Sequence, residues 1–375
     1  MYDFDRIRER SEQTSVKRRE SAGAEVALGV ADMDFPPPPE VQSVLQAWVQ
    51  QADMGYALPH SDLAPAIVDW CRAHYGWSIE PAWVCLLPGV VTGLAMFCHL
   101  LERPGHLVTL TPIYPPFFQV PKAGGRSLRS VPMLHTDEGW RIDWNALERA
   151  CVGAAGLLLC QPHNPTGRVY TAAEMARIAD LIKRHDLSLC SDEIWGDLII
   201  NPRLRHLPFQ SVPGAPPSLT LMAPSKTFNI PGLGCSFAIC PDAALRERLK
   251  GLQTVWALYP NAAGMAAALA AYRGGSDWLA ACRAYLRDNL SLVVQTMRDL
   301  GLRVQMPEAT YVVWARAGEQ ADAGSRLVEA CRREGLAIPA GGKFGDDRYV
   351  RLNAASPRGL LHDALARLRR ALAAG

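Results

Sequence analysis

Lys226 stands just after a short apolar run, Leu219–Met222, and directly beside Ser225, in the stretch LTLMAPSKTFNIPGLGC. A lysine at the end of a buried strand suits covalent chemistry. Desolvation and nearby charge lower its pKa, and the neutral amine can form a Schiff base with a carbonyl. Other polar residues follow other apolar runs in the same way. Asn164 follows Gly156–Cys160 inside HNPTG, Asp192 follows Leu187–Cys190 inside SDEIW, and Tyr114 follows His106–Leu110. Gly89 separates an extended apolar stretch from an apolar helix, so the amides after it open that helix.

The elements that must position these residues alternate along the chain. Strands are expected at His106–Leu110, Gly156–Cys160, Leu187–Cys190, Leu219–Met222 and Phe237–Cys240. Helices are expected over about 40–51, 63–75 and 172–185, with a loop over 53–61. Such alternation implies an α/β fold whose mainly parallel sheet is covered on both faces, with ligands beyond the carboxyl ends of the strands. After Gly274-Gly275 the pattern changes: a long helix over about 277–300, then strand, helix, strand and helix to the end. This reads as a smaller α+β domain. The expected division is an N-terminal arm and part of the small domain over 1–45, a large cofactor-binding domain over 46–275 and the small C-terminal domain over 276–375.

If those strand ends meet in one cleft, their residue types fit one cofactor, pyridoxal 5'-phosphate (PLP). A helix N-terminus and a serine bind a phosphate. A carboxylate keeps a pyridine nitrogen protonated, which makes the ring an electron sink. An asparagine amide donates to a phenolate oxygen, a tyrosine ring stacks on the cofactor, and the lysine bonds its aldehyde.

Composition narrows the field. The chain has 375 residues, 49% hydrophobic and 20% charged, with a net charge of +2. Its densest basic cluster, Lys17-Arg18-Arg19, is short and reads as a solvated turn, so no nucleic acid partner is expected. No apolar run reaches the roughly 18 residues of a membrane span, and the charged N-terminus lacks an export core. Ten cysteines are scattered without a CxxC pair. They read as reduced core residues of a cytoplasmic protein, with no metal site.

The motifs together resemble fold-type I PLP enzymes of the class I/II aminotransferase group, and within it the MalY/PatB-type cystathionine β-lyases. The resemblance runs through TSVK (14–17), GVADMDF (29–35), PGVVTGL (88–94), TPIYPPF (111–117), HNPTGRV (163–169), SDEI (191–194), SKTFNIPGL (225–233), AAYRGGSDWL (270–279) and YVRLNAASPR (349–358). It implies an aspartate aminotransferase-like fold with a seven-stranded sheet. It implies that Lys226 carries the cofactor and acts as base on the substrate Cα–H. Asp192 would pair with the pyridinium and Asn164 with the phenolate oxygen. Tyr114 and Ile194 would pack on the two ring faces, and the Val90 and Val91 amides with Ser225 would hold the phosphate. Arg351 would bind the substrate carboxylate, with Asp34 and Trp195 also on the substrate side. Tyr56 would reach the phosphate of a neighbouring subunit, making a homodimer.

The pattern is not followed everywhere. The family commonly has histidine after SDEI, where this chain has Trp195, and often KWD where it has Lys17-Arg18-Arg19. Trp195 either shapes the substrate pocket or points into the core. The implied reaction is α,β-elimination from a cysteine thioether such as cystathionine, releasing a thiol, pyruvate and ammonia. Amino transfer by the same residues and a non-catalytic, PLP-binding regulator are the competing readings.

Overall fold

The computed structural model describes residues 2–52 and 54–374; Asp53, the first residue of the expected loop, lies outside them. Seven strands form the central sheet. In spatial order they are Val84–Leu87, Ser236–Ile239, Leu219–Met222, Ser188–Asp192, Ala154–Cys160, His106–Thr111 and Leu128–Pro132. Neighbours pair in parallel except at Ser236–Ile239, which runs antiparallel to both flanking strands. Ala154–Cys160 is buried at every position, as a strand covered on both faces must be.

Local chemistry fixes the covering helices. Ala172–His185 begins with a capping box in which Thr171 and Glu174 satisfy each other's backbone amides, a cap that contributes about 1 kcal/mol. It buries Met175, Ile178, Ala179, Leu181 and Ile182 on one face. Val90–Leu100 lies hard against the strand that leads to Lys226. A Cβ on Gly93 would come within 2.6 Å of the Leu221 side chain, so only glycine lets this helix approach so closely.

The C-terminal part builds a second, antiparallel sheet from Arg303–Val304, Val312–Arg316 and Tyr349–Asn353. The helices Ser276–Asp299, Ala323–Arg333 and Arg358–Ala373 accompany it. Near the N-terminus, Val26–Ala27 pairs in parallel with Leu336–Ala337.

Residues 28–35 then cross the molecule with no regular structure, yet most of their carbonyls are satisfied. Leu28 O accepts from Asn353 N, Gly29 O from Arg351, and Val30 O and Asp32 O from Asn353 Nδ2. Ala31 O accepts from Lys226 and Tyr311. Asn229 Nδ2 donates to Met33 O and Phe35 O, and its Oδ1 accepts from Met33 N. Buried backbone outside helices and sheets requires such partners. The expectation of a solvated Lys17 is corrected here. Lys17 is 2% exposed, because Asp34 (2.7 Å) and Asp32 (3.5 Å) draw its ammonium inward.

Asn229 also holds a left-handed backbone conformation, φ 55°, which asparagine tolerates better than most residues. Asn229→Ala is therefore expected to cost about 2–3 kcal/mol in urea unfolding. The exposed substitution Gln295→Ala should leave the midpoint almost unchanged.

Candidate active site

Ala154–Cys160 and Ser188–Asp192 deliver their last residues to one cavity of about 940 Å³, and the segments after other strands complete its wall. Asp192 ends its own strand, with Cys160 and Leu221 as its register partners on either side. Lys226 and Ser225 lie in the single turn Pro224–Thr227 that follows Leu219–Met222. Val90, Val91, Tyr114, Asn164, Asp192, Ile194, Trp195, Ser225, Lys226 and Arg351 all line this cavity.

Two expected residues stand elsewhere. Asp34 is not in the cavity wall: Arg10 (2.9 Å), Lys17 (2.7 Å) and Ser356 (2.5 Å) occupy its carboxylate. Two cations and a hydroxyl thus engage both oxygens of this expected substrate contact. Tyr56 is fully exposed and is not in the wall of its own chain's cavity. Trp195 both packs in the core and borders the cavity. Its ring is buried in the core against Tyr311 (4.8 Å between centroids), and it faces Lys226 Nζ at 5.6 Å.

The charged groups here are dry and poorly compensated. Asp192 accepts one hydrogen bond, from Ile194 N at 3.2 Å. Burial pushes its carboxyl up to about 7, and the nearby Glu193 charge adds to this. Burial brings the Lys226 amine down to about 8, assisted by Arg351, while Asp32 and Asp192 oppose the shift. Arg351 stacks on Phe344 (4.5 Å) and donates to Gly29 O (2.8 Å) and Asn164 Oδ1 (3.3 Å). Its Nε has no partner, and burial lowers its pKa to about 10.

These deficits match the groups of PLP and an amino acid. A buried carboxylate without a cation fits a pyridinium, and an under-satisfied guanidinium fits a carboxylate. Gly89 caps the helix Val90–Leu100 in extended backbone with no side-chain cap, leaving first-turn amides for an anion. The Ser225 hydroxyl and the Asn164 amide nitrogen donate to nothing among the described residues and also face this space.

Sequence reasoning missed the supports. Glu193, next to Asp192, turns to the other side of the strand, where Ser191 (2.7 Å), His206 (2.7 Å) and Phe209 N (3.0 Å) hold it. Asp197 accepts from Trp70 Nε1 (3.0 Å), Thr227 Oγ1 (2.8 Å) and the Tyr75 hydroxyl, bracing the turn that carries Lys226. Tyr311 and Phe344 were missed too, since they come from distant segments. The one signal for Glu193 and Asp197 was a cluster of acids too close to a buried strand to be solvated.

This fold and site define a PLP-dependent enzyme, and the chain belongs to the aminotransferase class I and II family, whose model matches residues 25–368. It is 32% identical to cystathionine beta-lyase PatB of Bacillus subtilis, over 99% of this chain and 100% of that protein. Among solved structures it is similar to OvoB (37% identity, TM-score 0.93, all of both chains). It is also similar to cystalysin from Treponema denticola, whose crystal contains pyridoxal 5'-phosphate (29% identity, TM-score 0.93, 100% of this chain and 99% of that one). No helix among the described residues is long and apolar enough to cross a membrane.

The Asp192 shift predicts a pH signature. The folded carboxyl keeps its proton to about pH 7, whereas the unfolded one loses it near its ordinary value of 3.8. The folded state holds the extra proton between these limits, so this group's contribution to stability falls as pH rises across that window. Cofactor-free Asp192→Asn should therefore melt above cofactor-free wild type at pH 7.5 and level with it at pH 4. Thermal melts across pH check this.

Proposed function

We propose that this chain is a PLP-dependent carbon–sulfur β-lyase that converts cystathionine or a related cysteine thioether to a thiol, pyruvate and ammonia. The observation that carries the reading is a half-buried Lys226, with its amine pKa drawn down to about 8, sharing one cavity with Asp192 and Arg351. The lyase name of a relative matched over its full length supports it.

Each residue then has a task. Lys226 would carry the cofactor, the Val90 and Val91 amides and Ser225 would hold its phosphate, and Asp192 would pair with its ring nitrogen. Asn164 would donate to its phenolate oxygen, and Tyr114 and Ile194 would pack against its ring. Bound there, PLP supplies the electron sink that stabilises charge on the substrate's Cα. Arg351 fixes the substrate carboxylate as a two-point fork, and so points the Cα–H bond. The neutral Lys226 amine takes the Cα proton. The C–H electron pair becomes the Cα–Cβ double bond, the Cβ–S pair leaves with sulfur, and a proton completes the thiol; the enamine left behind takes up water and loses ammonia to give pyruvate. Val90, Ile194, Trp195 and Phe344 keep the cavity wall apolar, which strengthens the charge interactions inside it.

Amino transfer is the second reading, favoured by the family's description and using the same residues. Supplying cystathionine with no keto acid separates the two. Repeated turnover to pyruvate and free thiol is the expected result, and a single turnover that then stalls overturns the lyase reading. Lys226→Ala should lower turnover by at least about a thousandfold. Arg351→Lys should raise KM roughly ten- to a hundredfold, because the two-point fork is lost.

The reading includes a homodimer. Met54, Tyr56, Leu58, Val255, Trp256 and Tyr259 are large apolar side chains left exposed, and Val91, also exposed, lines the cavity. A partner covering these residues would receive Tyr56 at its own phosphate site. Sedimentation should give a dimer, and Tyr56→Phe should weaken PLP retention about tenfold without dissociating it. All ten cysteines are buried and unpaired, which supports work in a reducing cytoplasm.

A further inference from the structure

Lys226 Nζ does not point at Asp192 or into open space. It donates to the Ala31 carbonyl at 2.6 Å. That oxygen also accepts from the Tyr311 hydroxyl at 2.9 Å, so its two lone pairs are divided between the two donors. The Trp195 ring faces the same amine at 5.6 Å, inside the range in which an aromatic face attracts a cation. Tyr311 closes the arrangement by packing its edge on Trp195, at 4.8 Å and 73°. Trp195 and Tyr311 are both buried, 2% and 1% exposed.

We infer that the Ala31 carbonyl, the Trp195 ring and the Tyr311 hydroxyl form a fixed berth for the Lys226 ammonium, filled whenever that amine is not joined to the cofactor. The inference rests on Lys226 being the cofactor-bearing lysine. Trp195 and Tyr311 are its positioning residues. The carbonyl takes the ammonium's hydrogen and the indole face meets its charge, while Tyr311 fixes which way the carbonyl points.

The berth answers a problem that the reaction creates. Once a substrate amine displaces it, Lys226 hangs on a flexible four-carbon stem and must stay in reach of the Cα proton. When it takes that proton, a new cation appears in a dry wall. The groups that act on it are Arg351, which opposes the charge, and Asp192 and Asp32, which favour it. Tyr311 is neutral there, since burial raises its hydroxyl pKa far above the ordinary value. A carbonyl and an indole stabilise the cation without competing for its proton. The ammonium can therefore release that proton to the departing sulfur and become neutral again. A titratable imidazole, as the family pattern commonly has in place of Trp195, would compete.

Two measurements test this, and neither depends on whether the enzyme proves to be a lyase. In the first, cofactor-free protein is acylated with trace acetic anhydride across pH, and labelling of the Lys226 peptide is read by mass spectrometry. Trp195→Phe and Tyr311→Phe each weaken the hold on the charged form. The Lys226 midpoint should fall by roughly half a pH unit in each variant. Unmoved or raised midpoints in both overturn the berth. In the second, the wild-type holoenzyme is crystallised with L-alanine, which has no leaving group on Cβ. Lys226 Nζ should lie within hydrogen-bond distance of the Ala31 carbonyl and over Trp195. Nζ anywhere else overturns the inference, and this arm stands even if a variant fails to fold. Failure of the lyase reading would show separately, as absent pyruvate from cystathionine.

Discussion

Asp192 is a carboxylate taken out of water with one backbone hydrogen bond for company. Burying a charge without a partner is costly, and a group so placed either gives up its charge or waits for a counter-ion. Two cations share its cavity, and burial moves the pKa of all three, Asp192, Lys226 and Arg351, against the charged form. Such a hole is unstable to being empty and selective about what fills it. A ligand bringing a pyridinium, an aldehyde and an anion relieves all of it. The strand itself keeps Asp192 in place, because its neighbour Glu193 is locked on the opposite side by Ser191, His206 and Phe209 N.

The second constraint is the irregular segment 28–35. It carries no helix or strand, yet it holds the site's cations. Its carbonyls receive Lys226, Arg351, Asn229 and Asn353. Asn353 and Arg351 arrive from the three-stranded sheet, Lys226 and Asn229 from the end of a central strand. The segment thus joins the two sheets, two of its ties being the cavity-lining Lys226 and Arg351. Its own acids, Asp32 and Asp34, are held from outside by Arg10 and Lys17. The GVADMDF motif is in this sense a scaffold, with its aspartates in ion pairs to Arg10 and Lys17.

Much of this was legible in the sequence because the signals were local. A polar residue after an apolar run marked Lys226, Asp192, Asn164 and Tyr114. The helices expected over 63–75 and 172–185 have those bounds in the structure. The remainder depends on contacts between distant residues, which leave no periodic trace. Lys17 reads as a surface base until Asp32 and Asp34 fold beside it. Asp34 reads as a site residue because its motif borders the site. Ser236–Ile239 has the composition of any buried strand, and its antiparallel sense is set by its pairing with both neighbours. Trp195 offered two readings because a side chain can pack in the core and face a cavity at once.

The most direct test of the central claim is to load the protein with PLP, reduce it with borohydride, and map the pyridoxyl label by peptide mass. The account predicts label on Lys226, at about one group per chain, and sharply diminished labelling in Asp192→Ala. Wild-type protein that takes up no label, or carries it on another lysine, would contradict the account.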